Sequence, residues 1–276
     1  MTRSSVPAGF HAAEAGRAAI DERSLRDALA VAARACDAAR AEILPRYRKT
    51  TVETKQDGSP VTVADREAER AIRRVISEAF PDDAILGEEF GATERTARRR
   101  WIVDPIDGTI AFTRGIPLFT TIVALLVDDE PVVGMIDLPA VGDRIGGYRG
   151  GGVSRRTEHG DERVSVSEIA RLEDALVCHG DLFCFDRAGL RGLHERMAKS
   201  IPKLRGYTDA FGHLLVLSGA AEAMVDCDLN PWDAAATRVL TREAGGVCWL
   251  REREGGSKLD LVFGNPAIVG EIGRLF

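Results

Sequence analysis

The chain has 276 residues, 45% of them hydrophobic and 29% charged, with 28 Gly and 11 Pro; this balance excludes disordered and collagen-like classes and supports one or two packed domains. With 37 basic against 43 acidic residues the formal net charge is -6, which excludes a broad basic footprint for nucleic acid. Cys36, Cys178, Cys184, Cys227 and Cys248 lack C-x-x-C spacing and no run approaches a membrane span, so reduced thiols, no zinc site, no membrane partner and a cytoplasmic location are expected.

Residues 1–20 are expected to form a flexible tail. Leu25, Leu29, Ala32, Cys36, Ala39 and Ile43 then recur at three- and four-residue steps, predicting an amphipathic helix that ends near Pro45. Ala68, Ile72, Val75, Ile76 and Ala79 predict a second, closed by Pro81. Between the two, Asp57-Gly58 and Pro60 signal the tip of a hairpin or loop beside Lys55. After Pro81 short β-branched runs predict strands at 84–89, 101–104, 120–129 and 131–139, the last two as a hairpin, with 146–152 continuing the meander. The polar stretch from Ser154 to Val164 reads as a loop marking a joint near residue 165, dividing the chain into 21–165 and 166–276. The second part reads as strands and helices in alternation, with Asp233 in the first turn of a helix stopped by Gly245-Gly246.

The segment WIVDPIDGT, 101–109, carries the chemistry. An apolar strand ends in two carboxylates, Asp104 and Asp107, and a bend at Pro105 lets both converge with the Ile106 carbonyl on one point. Three oxygens suit Mg2+ better than zinc, and Gly108-Thr109 open a turn whose N–H groups can hold a phosphate oxygen. Taken alone, Asp-Pro-Ile-Asp-Gly also reads as a tight surface turn, Glu88-Glu89 as a solvated pair, and Asp233 as a helix cap. Their joint occurrence favours a metal cluster.

The combination Thr62-x-x-Asp65, Gly87-Glu88-Glu89, Asp104-Pro105-Ile106-Asp107-Gly108-Thr109, Trp232-Asp233-Ala234-Ala235 and Glu243-Ala244-Gly245-Gly246 resembles the inositol monophosphatase-like family of magnesium-dependent phosphatases over about residues 25 to 275. The resemblance implies an α/β layered αβαβα sandwich with its site between the two halves. It implies that Glu88, Asp104 and the Ile106 carbonyl hold one Mg2+, that Asp104, Asp107 and Asp233 hold a second, and that a weaker third lies near Glu88. Asp65 matches an acid close to the metals, Thr109 with Glu88 would activate the attacking water, and Gly108 and Thr109 would receive the phosphate. A homodimer is also implied. Physical logic agrees: a phosphate dianion is repelled by clustered carboxylates unless divalent ions reverse the local charge.

The segment 205–236 is most similar to the family's histidinol-phosphatase branch, with Asp209-Ala210-Phe211-Gly212 at a position of Asp-aromatic-Gly character. Asp226, seven residues before Asp233, and Asp209 are expected to meet the ammonium of L-histidinol phosphate. Asp226 would equally accept inositol hydroxyls, and Asp209 also reads as an N-cap. Ile110-Ala111 replaces a more polar pair common in inositol monophosphatases, and no aromatic cluster is expected in the pocket. His179, His194 and His213 are expected as isolated surface or core residues. The leading expectation is histidinol phosphate hydrolysis; an inositol-1-monophosphatase or broader sugar and nucleotide phosphatase is its rival. A non-catalytic phosphate-binding protein is disfavoured because no metal ligand is missing.

Overall fold

The computed structural model describes residues 6–13, 20–49, 51–55, 60–253, 255 and 257–276; the Asp57-Gly58 turn lies outside them. The chain opens with β1 (His11–Ala12) and α1 (Glu22–Ile43), the latter capped where Asp21 accepts a hydrogen bond from the Ser24 N–H at 3.2 Å. The hairpin β2 (Val52–Thr54) and β3 (Pro60–Thr62) leads directly into α2 (Val63–Ala79). There follow β4 (Ala84–Gly87), β5 (Gly91–Ala92), β6 (Arg99–Asp107), α3 (Thr109–Thr113), β7 (Thr120–Val127), β8 (Glu130–Leu138), β9 (Asp143–Tyr148), β10 (Gly152–Thr157) and β11 (Gly160–Val164). These strands form an eight-stranded sheet in the order β11-β10-β9-β8-β7-β6-β4-β5.

Beyond Val164 the chain builds a second sheet. Its elements are β12 (Leu176–His179), α4 (Leu182–Arg187), α5 (Arg191–Ser200), β13 (Lys203–Arg205), α6 (Asp209–Leu217), β14 (Ala223–Leu229), α7 (Pro231–Glu243), β15 (Val247–Glu252), β16 (Leu259–Gly264) and α8 (Pro266–Gly273). The order is β1-β15-β16-β14-β12-β13, with β12 parallel to both β13 and β14.

Five layers result. Helices α1 and α2 cover one face of the large sheet, α6 and α7 lie between the sheets, and α4 and α8 pack on the far face of the small one. Strand β7 shows why its sequence is continuously apolar: Val123, Leu125 and Val127 point into the core under α1 and α2, while Ile122, Ala124 and Leu126 point into the core under α6 and α7. A strand covered on both faces has no polar side to alternate with. The same division holds in the small sheet, where Ala223, Val225 and Cys227 of β14 face outward helices and Met224 faces inward.

Two sequence expectations change. Within the expected flexible tail, Phe10 is buried and His11–Ala12 pair antiparallel with Trp249 and Leu250 of β15, so this stretch closes the small sheet's edge. The expected loop at 154–164 is the hairpin β10–β11, whose rungs include Arg155 opposite Glu162 and Arg156 opposite Asp161. Charged on both faces, it carries no apolar alternation to announce a strand, which is how an edge hairpin stays soluble.

Candidate active site

In a regular strand residues three apart point to opposite faces. Asp104 and Asp107 escape that rule because the pairing of β6 with β7 slips between them: Asp104 lies opposite Ile122, and Asp107 opposite Thr120, so β6 carries one extra residue. Pro105 has no N–H to lose in this bulge, and its carbonyl accepts a hydrogen bond from the Thr121 hydroxyl at 2.8 Å. Asp233 arrives from the other half of the chain, in the first turn of α7. Its Oδ2 accepts the Asn230 N–H at 2.7 Å in a capping box. Each of Asp104, Asp107 and Asp233 offers one carboxylate oxygen, and these oxygens all lie within 4.8 Å of one another.

Electrostatics and satisfaction both fit a cation here. Burial pushes the Asp104 carboxyl well above the usual range, and the charges of Glu88, Asp107 and Asp233 push it further. Burial, Asp209 and Asp233 do the same to Asp107, against the Ala210 N–H and the Thr120 hydroxyl, which donate to its Oδ2 at 2.7 and 2.9 Å. Burial raises Asp233 to about 7 despite the Asn230 N–H. Asp104 Oδ1 is buried without a hydrogen-bond partner. A buried acceptor among raised carboxyls is relieved by a hard, oxygen-seeking cation.

Glu88 follows β4, its N–H bonded to the Val103 carbonyl at 3.3 Å. Lys55 Nζ reaches Glu88 Oε1 at 2.8 Å and Glu89 Oε1 at 2.6 Å. Burial opposes the Lys55 charge, yet the two carboxylates hold its pKa above the usual range, so the ammonium is the countercharge on this side of the site.

The chain turns at Gly108, where φ is 81°, a left-handed conformation that favours glycine, and Thr109 opens α3. The Thr109 hydroxyl lies 3.1 Å from the Ile106 carbonyl and 3.5 Å from Asp65 Oδ1. The Ile106 carbonyl therefore meets Thr109, a contact the sequence does not announce. Asp65 Oδ2 takes the Thr62 N–H and hydroxyl at 2.8 and 2.6 Å, so one oxygen builds the start of α2 and the other reaches the site.

A cavity of about 440 Å³ is lined by Glu88, Gly108, Thr109, Tyr207, Asp209 and Phe211. It shares Asp181, Thr208 and Asp209 with a recess of about 140 Å³ lined by Asp107, Asp226, His213 and Asp233. Both sequence-derived substrate acids thus line one continuous cleft with the carboxylate floor. Asp209 is not the N-cap of α6: Thr208 precedes the helix, and Asp209 follows it at φ 56°, accepting the Thr208 hydroxyl at 3.0 Å. Burial and Asp226 push its carboxyl up.

Several contributors differ from the sequence expectation or add to it. Tyr207 and Phe211 form an edge-to-face pair, centroids 5.9 Å apart, in the cavity where no aromatic cluster was expected. Ile110 and Ala111 line the same cavity, Ile110 being 66% exposed. His213 is bonded to Asp226, and His179 packs edge-to-face on His194 with centroids 4.8 Å apart, so these histidines are not isolated.

The inositol monophosphatase family model matches residues 24–269. The chain is 38% identical over 196 residues to a histidinol-phosphatase of Mycobacterium tuberculosis, covering 71% of this chain and 75% of that one. It is 39% identical over 203 residues to a histidinol-phosphatase of Chlorobaculum parvum, covering 73% and 76%. An IMPase from Thermotoga maritima superposes with a TM-score of 0.79 at 31% identity, covering 90% of this chain and 96% of that structure. Its layered fold, its clustered acids and these matches agree: the chain belongs to the inositol monophosphatase family of phosphoric monoester hydrolases.

Proposed function

We propose that the protein is a Mg2+-dependent phosphomonoesterase whose substrate is L-histidinol phosphate, converted with water to L-histidinol and phosphate. The observation that carries the substrate is the cleft wall that adjoins the carboxylate floor. There Asp181 and Asp209 line both the cavity that holds the Tyr207–Phe211 pair and the recess that holds Asp226, an acidic and aromatic surface suited to a leaving group with an ammonium and an imidazole ring. The names of the relatives above support the same reading.

Glu88, Asp104 and the Ile106 carbonyl would hold one Mg2+ and Asp104, Asp107 and Asp233 a second, with a weaker third beside Glu88; bound there, the ions would supply the countercharge for phosphate and acidify water. The chain's own groups do the rest. Gly108 turns the backbone so that its N–H and that of Thr109 seat phosphate oxygens. The Thr109 hydroxyl, fixed between the Ile106 carbonyl and Asp65, accepts a hydrogen bond from the attacking water and aligns it with phosphorus. Glu88 lies on the same cavity wall to take up the water's proton.

Phosphate release from L-histidinol phosphate and from inositol 1-phosphate, measured side by side with Mg2+ and with EDTA, tests both parts. The expected result is Mg2+-dependent turnover with kcat/KM favouring histidinol phosphate by about tenfold or more, the equivalent of one good polar contact. Preference for inositol 1-phosphate keeps the mechanism and discards the substrate. Turnover unaffected by EDTA discards the metal assignment.

A further inference from the structure

His213 projects from α6 into the protein interior, 1% exposed, with its ring edge-on to Phe263. Its Nδ1 lies 2.7 Å from the Thr237 hydroxyl of α7 and its Nε2 lies 3.0 Å from Asp226 Oδ2 of β14. A carboxylate only accepts, so Nε2 carries the hydrogen, while a threonine hydroxyl can play either role at Nδ1. The other Asp226 oxygen accepts the Cys227 N–H at 3.0 Å. Beneath it, Gly180 leaves the room the carboxylate occupies: a Cβ there would fall 2.0 Å from Oδ1. The Asp226 carboxylate is thus fixed by His213, by the Cys227 N–H and by the bare backbone of Gly180, and the recess it shares with Asp181 and Asp209 is what remains open to it.

We propose that His213 is the positioning residue that sets this enzyme's preference for a cationic leaving group, by holding Asp226 oriented into the cleft through a Thr237–His213–Asp226 chain. The inference rests on the substrate reading above. A histidine suits the task because it grips the carboxylate with a single N–H, where an arginine would bring a permanent positive charge to a wall that must attract one. The chain bridges the helix layer and the small sheet, so it also ties the wall to α7, whose first turn carries Asp233. His213 touches no reacting atom; its effect passes through Asp226.

The test compares L-histidinol phosphate with p-nitrophenyl phosphate, whose leaving group carries no cation. His213→Leu is expected to raise KM for histidinol phosphate about tenfold or more, the scale of a lost charge-orienting contact, with kcat and both constants for p-nitrophenyl phosphate changed less than about threefold. His213→Gln, which places an amide N–H near the Nε2 position, is expected to recover most of the loss. Thr237→Val, which leaves the ring but removes the Nδ1 partner, is expected to shift KM in the same direction by about threefold, and carries the test should the leucine variant not fold. Equal losses on both substrates, or no loss on histidinol phosphate, overturn the proposal. A wild-type enzyme with no preference for histidinol phosphate overturns the substrate reading instead.

Discussion

The floor of the cleft and its wall are built in opposite ways. The floor holds Asp104, Asp107 and Asp233, like charges driven together by a strand bulge and a helix start, each carboxyl raised by burial and by its neighbours. Left to themselves these groups repel; they make sense as a socket for cations. The wall holds Asp181, Asp209 and Asp226 together with Tyr207 and Phe211, and there His213, Thr208 and backbone N–H groups tether the acids individually. Charge crowded within 4.8 Å, beyond what the Ala210, Thr120 and Asn230 donors offset, suits a cation, whereas charge held by a neighbouring side chain suits an organic ligand.

The sharpest way to break that contrast is to neutralise the floor. Asp107→Asn and Asp233→Asn are each expected to lower Mg2+-dependent turnover by at least about 10²–10³-fold, the scale of losing one preorganised charge contact in an active site. Stability moves the other way. A carboxyl raised from 3.8 to about 7 contributes stability below pH 4 that is lost as pH rises to 7, so with EDTA above pH 7 Asp233→Asn removes an unfavourable ionisation. Its melting temperature there is expected to be no lower than that of wild type, with the amide oxygen still able to accept the Asn230 N–H. Retained turnover in both variants would remove the metal role from the floor.

The floor was also the legible part of the molecule, because its geometry is local. Asp-Pro-Ile-Asp-Gly-Thr contains the bulge, the turn and two of the clustered carboxylates within six residues, and Pro231-Trp232-Asp233 contains a helix start. One sequence alternative turned out to be no alternative: Asp233 spends Oδ2 on its helix cap and still joins the cluster, and Asp65 divides its two oxygens between a cap and Thr109. Cap and site share one carboxylate. The layers followed from the family resemblance, the apolar runs themselves marking only the individual strands and helices. Of the wall, Asp209 and Asp226 were legible but what surrounds them was not, since the His213 to Asp226 bond joins residues of α6 and β14 that meet only through packing, and Tyr207 and Phe211 become a pair only after the turn at Thr208 is formed. The β10–β11 hairpin was lost for the opposite reason: its cross-strand charge pairs look, in sequence, like a solvated loop.

Between floor and wall stands Thr109. Thr109→Ala is expected to lower kcat by about 10–10²-fold while KM changes little, because a hydroxyl that aligns water acts in the transition state and not in substrate binding. A rise in KM at constant kcat would move Thr109 from the chemistry to the wall.

The smallest expected effect is the most specific to the wall. Tyr207 meets Phe211 edge-to-face, and the two rings line the cavity alongside Ile110, so an imidazole entering there gains a ring contact that an inositol hydroxyl cannot use. Such contacts are worth about 0.5–1.5 kcal/mol beyond area burial, which corresponds to about 2–10-fold in affinity. Tyr207→Ala is therefore expected to raise KM for L-histidinol phosphate by that factor, leaving kcat and the Mg2+ requirement intact. The same variant should leave the constants for inositol 1-phosphate unchanged. An equal shift on both substrates would mean that Tyr207 only shapes the cleft, and the aromatic half of the wall would lose its part in choosing the leaving group, leaving the tethered acids to choose by charge alone.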